Sequence, residues 1–280
     1  MRLAYGLVVS TMALVSTLAC AQVEGTPVPP FVTTPENVVA RMLRLADTGP
    51  TDLVVDLGSG DGRIVIAAAR EFGARGMGLE LDPKLVELSR ENALAAGVAG
   101  RTEFRIADVL RADFSQASVV TVYLLPSLMV ALTPVFLNGL KPGSRIVTHA
   151  FGLPGWKPDK SEKVKVVGPH PMQGDESTIF LWVVPARARG EWRAASADGE
   201  WLIRIRQNFQ EIEVEGEAAG LKLNVVDANL AGTGIKIAGE WGKRGEQFRF
   251  EGRVEGGRIA GQAVLLNGPA KRVLPLVFNK

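Results

Sequence analysis

Apolar residues follow two rhythms along the chain, and the change falls near residue 187. Before it, short aliphatic runs at 53–57, 76–80, 102–106, 119–124 and 145–149 read as buried strands. Between them lie stretches of helical character. Val38, Val39, Met42, Leu43 and Leu45 form one apolar stripe, behind Thr34 as N-cap and Pro35 in the first turn. Ile64 to Arg70 reads as a second helix, Asp82-Pro83 opens a third, and 128–137 reads as a fourth, interrupted by Pro134. Two last strands, 164–167 and 179–184, close this part as an antiparallel hairpin. After residue 190 the period becomes two: Trp201, Ile203 and Ile205 alternate with Leu202, Arg204 and Arg206. Asp198-Gly199, Ala219-Gly220, Gly232-Thr233-Gly234 and Gly256-Gly257 supply turns at hairpin spacing. The pattern predicts an α/β unit with a Rossmann-like, mostly parallel sheet, then an antiparallel β domain of seven or eight strands. A lipocalin-like barrel and a curved sandwich both fit the second part.

The densest signal is the turn after the first strand, Asp56-Leu57-Gly58-Ser59-Gly60-Asp61-Gly62-Arg63. Strand, glycine turn and helix present a ligand site at the carboxyl edge of a parallel sheet. Missing Cβ atoms allow close approach, and the helix start is expected to offer free N–H groups. The spacing Gly58-x-Gly60-x-Gly62 is neither the G-x-G-x-x-G of dinucleotide sites nor a phosphate-cradling P-loop. Asp56, just ahead of the glycines, repels a pyrophosphate and suits a ligand carrying an ammonium and a sulfonium, which is S-adenosylmethionine. Glu80 ends the second strand, where such sheets hydrogen-bond ribose hydroxyls. Asp108 follows the third strand and could accept from an adenine amino group. The expected cofactor set is Asp56, Gly58, Ser59, Gly60, Gly62, Glu80 and Asp108. Asp61 reads as a helix-capping residue.

These residues carry a resemblance. Val55 to Val65, Tyr123-Leu124-Leu125-Pro126-Ser127, Leu140-Lys141-Pro142-Gly143 and Leu181-Trp182-Val183-Val184-Pro185 resemble class I S-adenosylmethionine-dependent methyltransferases. The nearer likeness is to the mitochondrial protein-lysine methyltransferases that act on an ATP synthase subunit and the adenine nucleotide carrier, and to their bacterial relatives. The resemblance spans residues 31–185. It implies methyl transfer to a protein lysine amine, with the loop from Tyr123 to Pro126 facing the methyl group. That loop is apolar, which suits an amine whose pKa falls on desolvation. His149 is a tempting base, although a structural or supporting histidine fits the residue as well. Two departures stand out: Phe31 replaces the tyrosine expected ahead of the first helix, and Ala150 stands where a polar residue is expected.

Composition narrows the classes. Apolar content of 46% and a mean hydropathy of +0.13 fit a globular chain with ample core. A net charge of +2 lacks the basic excess of a nucleic-acid binder; the protein partner is what the resemblance implies. His149 and His170 are the only histidines and Cys20 the only cysteine, so no metal site is expected.

Residues 1–21 carry one positive charge, an apolar stretch and Ala19-Cys20-Ala21, the pattern of a secretory signal cleaved before Gln22. A lipid anchor on Cys20 and an uncleaved segment keeping the chain beside a membrane are the other two readings. The expected organisation is a signal at 1–21, a Pro-rich linker at 22–33, a methyltransferase domain at 34–187 and the β domain at 191–280, in a periplasmic protein. Because this cofactor is made in the cytosol, an exported, non-catalytic binding protein keeping the fold is the alternative.

Overall fold

The computed structural model describes residues 32–168, 174–242, 246–267 and 270–280. The signal, Cys20, Phe31, most of the linker and His170 lie outside the described residues. Among the described residues no helix is long and apolar enough to cross a membrane.

Seven strands form one sheet: β1 (Leu53–Leu57), β2 (Arg75–Glu80), β3 (Thr102–Ile106), β4 (Val119–Val122), β5 (Arg145–His149), β6 (Lys160–Lys165) and β7 (Glu176–Val183). Their spatial order is β3-β2-β1-β4-β5-β7-β6. The first five run parallel, while β7 is antiparallel to both β5 and β6. The chain reverses its direction of travel between β1 and β4, and the crevice at such a switch point is where open α/β sheets bind ligands.

Alternation sorts the side chains. Val54, Val119 and Val147 face α1 (Glu36–Leu45) and α2 (Arg63–Phe72), whereas Val55, Leu57, Val120, Val122 and Ile146 face α4 (Pro126–Gly139). α3 (Pro83–Ala95) starts on Asp82, whose carboxylate accepts from the Lys84 amide at 2.8 Å, with proline in the first turn as expected.

Several expected boundaries move, and α4 runs unbroken through Pro134 from Pro126 to Gly139, where an interruption at the proline was expected. Pro35, not Thr34, is the residue before α1, and no side chain caps that helix. The Thr34 hydroxyl is taken by His149 instead. The strand expected at 164–167 runs from Lys160 to Lys165. It is the sheet's edge, rich in charge as exposed edges usually are, so an apolar run was a poor guide to it.

From Gly190 the chain forms a closed antiparallel barrel of β8 (Gly190–Ser196), β9 (Gly199–Asn208), β10 (Glu211–Ala218), β11 (Leu221–Ala231), β12 (Gly234–Trp241), β13 (Glu246–Glu255), β14 (Arg258–Asn267) and β15 (Ala270–Asn279). The barrel, not the sandwich, is therefore the solution. Trp192, Trp201, Ile203, Ile205, Phe248 and Phe278 pack its interior. Cross-strand ion pairs such as Arg206 with Glu213 (2.9 Å) and Glu215 (2.7 Å) lie outside.

The segment between sheet and barrel is held rather than free. Ala186 and Ala188 are buried, the Ala186 amide donates to the Gly232 carbonyl (2.7 Å), and Gln207 Oε1 accepts from the Ala188 amide (2.8 Å).

Candidate active site

β1 delivers Asp56 into the interior, where it is 3% exposed and in register with Thr121 of β4. The Thr121 hydroxyl donates to Asp56 Oδ1 at 2.7 Å. Burial pushes the Asp56 carboxyl up to about 7 despite that bond, and the nearby Glu80 and Asp61 carboxylates push the same way. An acid so desolvated ionises readily only when a cation arrives beside it.

The glycine turn then runs through three left-handed residues, Gly58, Gly60 and Gly62, at φ of 78°, 55° and 80°. The space around the last is also closed: a Cβ on Gly62 would lie 2.8 Å from the Phe104 ring. Its amides point inward. Gly58 and Ser59 donate to the Leu79 carbonyl (2.8 and 3.1 Å), Gly62 to the Ser59 carbonyl (2.9 Å), and Gly60 to Glu80 Oε2 (2.9 Å). The expected free amides at this turn are therefore absent at these four positions, because Leu79 of β2, Glu80 and the turn's own Ser59 carbonyl have taken them. A phosphate finds no cradle there, while three carboxylates surround the turn.

Glu80 does more than end a strand. Its Oε1 also accepts from the amides of Leu81 (2.7 Å) and Asp82 (3.1 Å), so one carboxylate ties the glycine turn to the start of α3. The Ser89 hydroxyl and the Asn92 amide add to that tie from α3, donating to the carbonyls of Gly60 (2.8 Å) and Asp61 (3.0 Å). Asp61 meets the capping expectation in part, its Oδ1 accepting from the Arg63 amide at the start of α2 (3.3 Å). Gly62 precedes α2, and Asp61 forks with the Arg63 guanidinium, Nη2 to Oδ2 at 2.6 Å. Arg63 Nη1 donates in turn to the Thr34 carbonyl at 3.0 Å, fastening the entry of α1 to the turn. Ser59 is buried and its hydroxyl has no hydrogen-bond partner among the described residues.

Farther along the carboxyl edge, Asp108 Oδ1 accepts from the Leu110 amide at 3.0 Å and the side chain is half exposed. Leu81, just past β2, and Ile106, at the end of β3, are 58% and 59% exposed, large apolar surfaces left open at the carboxyl ends of neighbouring strands. The acceptor side is built by the ends of β4 and β5. Leu125 and Pro126 are exposed at the start of α4, and Leu124 packs over Gly58, where a Cβ would meet it at 2.8 Å. Tyr123 lies against His149 with ring centroids 4.2 Å apart, and against Phe151 at 6.4 Å.

His149 itself is 1% exposed, with Nδ1 3.1 Å from the Thr34 hydroxyl and Nε2 3.0 Å from the Ser177 hydroxyl. Both nitrogens are engaged by side chains behind the wall, so the ring supports Tyr123 and is not an exposed base.

Sequence reasoning passed over Thr34, Thr121 and Ser177 as site residues. Thr121 had a signal, being the one polar residue in an aliphatic strand that pairs with Asp56. Thr34 and Ser177 reach His149 from 115 and 28 residues away, which no local pattern announces.

Residues 56–160 match the family described as the ANTKMT methyltransferase domain. A protein-lysine N-methyltransferase of Saccharolobus islandicus is 40% identical over 157 residues, 55% of this chain and 93% of that protein. In Mus musculus, the lysine N-methyltransferase of an ATP synthase subunit is 46% identical over 124 residues, 44% of this chain and 48% of that protein. The chain thus spans nearly all of the archaeal relative and about half of the mouse one. Among solved structures, an RNA methyltransferase from Salinibacter ruber in complex with S-adenosyl-L-homocysteine is 48% identical, with a TM-score of 0.50 over 56% of this chain and 95% of that one.

Proposed function

This chain belongs to the class I S-adenosylmethionine-dependent methyltransferases, within the family of the protein-lysine N-methyltransferases, and on that premise we propose that it methylates a lysine ε-amine of a protein. The observation that carries the reading is the inversion of the glycine turn: amides turned inward, carboxylates Asp56, Glu80 and Asp61 around it. That turn rejects an anionic ligand and favours a cationic one. The residues fit the cofactor. Asp56 would hold its ammonium, Glu80 its ribose, and Leu81, Ile106 and Asp108 its adenine.

Bound there, the cofactor supplies an electrophilic methyl group on a sulfonium. The chain's own part is to present a neutral amine in line with it and to exclude water. Leu124, Leu125, Pro126 and Phe151 form an apolar approach that lowers the amine's pKa, so a proton leaves to solvent before attack. Tyr123 is the polar group in that approach, and its hydroxyl orients the amine.

The solved relative described as an RNA methyltransferase raises a nucleic-acid acceptor as the second reading. An apolar acceptor loop and a net charge of +2 argue for the amine. Incubating the purified chain with tritiated S-adenosylmethionine and cell extract separates the two. Label recovered as methyl-lysine, removed by protease and resistant to ribonuclease, supports the proposal; label confined to RNA overturns it.

The same reading includes export, with residues 1–21 removed and Gln22 at the mature end. Intact-mass measurement on the envelope fraction is the check, and a diacylglyceryl adduct on Cys20 contradicts it.

A further inference from the structure

Five hairpins of the barrel lie wholly within the described residues, and four of them contain or adjoin a glycine. The exception is Phe209-Gln210, the two-residue link between β9 and β10. Phe209 nevertheless has φ of 53°, the left-handed region where a hairpin ordinarily takes glycine or asparagine. A bulky residue persists in such a conformation when its surroundings hold it there. Gln207 Nε2 donates to the Phe209 carbonyl from within the barrel (2.7 Å), and the remaining partners belong to the other half of the molecule.

The Phe209 ring lies parallel to Trp156, 5.3 Å away with 5° between the planes. Both ends of the Gln210 side chain are used on the same segment: Oε1 accepts from Trp156 Nε1 (2.8 Å) and Nε2 donates to the Lys157 carbonyl (2.7 Å). Trp156 is buried, and its carbonyl accepts from Trp182 Nε1 at 3.0 Å. Phe209 and Gln210 are thus chosen for what they grip, against the local preference of the turn that carries them.

What they grip leads to the acceptor wall. Trp156 lies at the end of the loop that leaves β5, and Phe151 stands near its start. The loop opens on Ala150 at φ of 63°, another strained left-handed residue, which turns Phe151 toward Tyr123. Between the two ends, the Trp156 amide donates to the Leu153 carbonyl (3.2 Å), and Leu153 is buried. One end of this short loop is therefore fixed by the sheet, and the other is shared between the sheet, through Trp182, and the barrel, through Phe209 and Gln210.

We propose that the barrel serves methyl transfer by clamping loop 150–157, with Phe209 and Gln210 as positioning residues for the acceptor-side wall formed by Phe151 and Tyr123. The part concerning the acceptor rests on the function proposed above; the clamp itself does not. A tightened loop keeps the approach to the methyl group narrow and dry, leaving the cofactor side untouched.

The test uses the full chain with Phe209→Gly, Gln210→Ala and Phe209→Tyr. Glycine relieves the strained φ while deleting the ring, so it does not weaken the hairpin it sits in. Hydrogen exchange is followed by mass spectrometry, S-adenosylhomocysteine affinity by calorimetry, and methyl transfer with an acetyl-capped lysine peptide. Phe209→Gly and Gln210→Ala are expected to speed exchange in 150–157 by tenfold or more and leave barrel peptides unchanged. S-adenosylhomocysteine affinity should stay within twofold, while kcat/KM for the peptide falls at least fivefold. Phe209→Tyr, which keeps the flat ring, should restore both exchange and kcat/KM. Unchanged exchange at 150–157 in both variants overturns the clamp, as does an equal loss of cofactor affinity. A loosened loop with undiminished kcat/KM overturns its role in transfer. Failure of the unaltered chain to methylate any amine counts against the proposed function, and the exchange data then still decide the clamp.

Discussion

The Thr121 hydroxyl donates to Asp56 Oδ1 across 2.7 Å in a part of the sheet closed to solvent. That bond favours the ionised acid, yet burial outweighs it and the carboxyl titrates near 7. An acid left half-protonated at neutral pH by its surroundings is ready to ionise against a bound ammonium.

Cofactor binding should therefore depend on pH. If only ionised Asp56 binds the ammonium, the ionised fraction sets the affinity, roughly five- to tenfold weaker at pH 6 than at pH 7.5. Calorimetry in two buffers of different ionisation enthalpy should show proton release on binding near pH 6.5. Asp56→Asn should lose both the release and the pH dependence. A flat affinity between pH 6 and 7.5 in the unaltered chain contradicts the assignment.

The same shift has a consequence for the free protein. The folded pKa lies above the ordinary value of 3.8, so the folded state binds more protons between about 4 and 7. This group's contribution to stability is complete below about 4 and lost as pH rises through 7. Asp56→Asn, which removes the buried charge, should raise the melting temperature of ligand-free protein at pH 8 and have little effect at pH 4.5. A lowered melting temperature at pH 8 runs against this account.

Removing Glu80 should destabilise the chain. Its carboxylate accepts from three amides, those of Gly60, Leu81 and Asp82. Glu80→Ala should lower stability by about 2 kcal/mol through the loss of those bonds, measured by urea unfolding at pH 7.5. Unchanged stability would mean that the glycine turn holds its shape without Glu80.

The strands and the turn nearest the site were legible because their signals are local: β-branched runs, a glycine triplet, acids at strand ends. Less was legible where a partner comes from far away. Thr34 looks like a helix cap until His149, far along the chain, takes its hydroxyl. The turn looks like a helix start with open amides until Leu79 and Glu80 are folded against it. Phe209-Gln210 carried a negative signal, the missing glycine, whose meaning appears only with Trp156 beside it.

Ala150 marks another such place. The polar residue expected there fits its φ of 63°, since asparagine tolerates the left-handed region and alanine is strained in it. Ala150→Gly should stabilise the chain by about 1 kcal/mol, read as a higher melting temperature. A drop instead would show that the alanine methyl makes contacts worth more than the strain.

The measurement that bears most directly on the cofactor site is calorimetric titration of S-adenosylhomocysteine into the unaltered chain, Asp56→Ala and Glu80→Ala at pH 7.5. Each lost partner is expected to weaken binding ten- to a hundredfold, about 1.5 to 3 kcal/mol, and NADH should not displace the ligand. Undiminished affinity in both variants, or displacement by NADH, contradicts the placement of the cofactor at this turn.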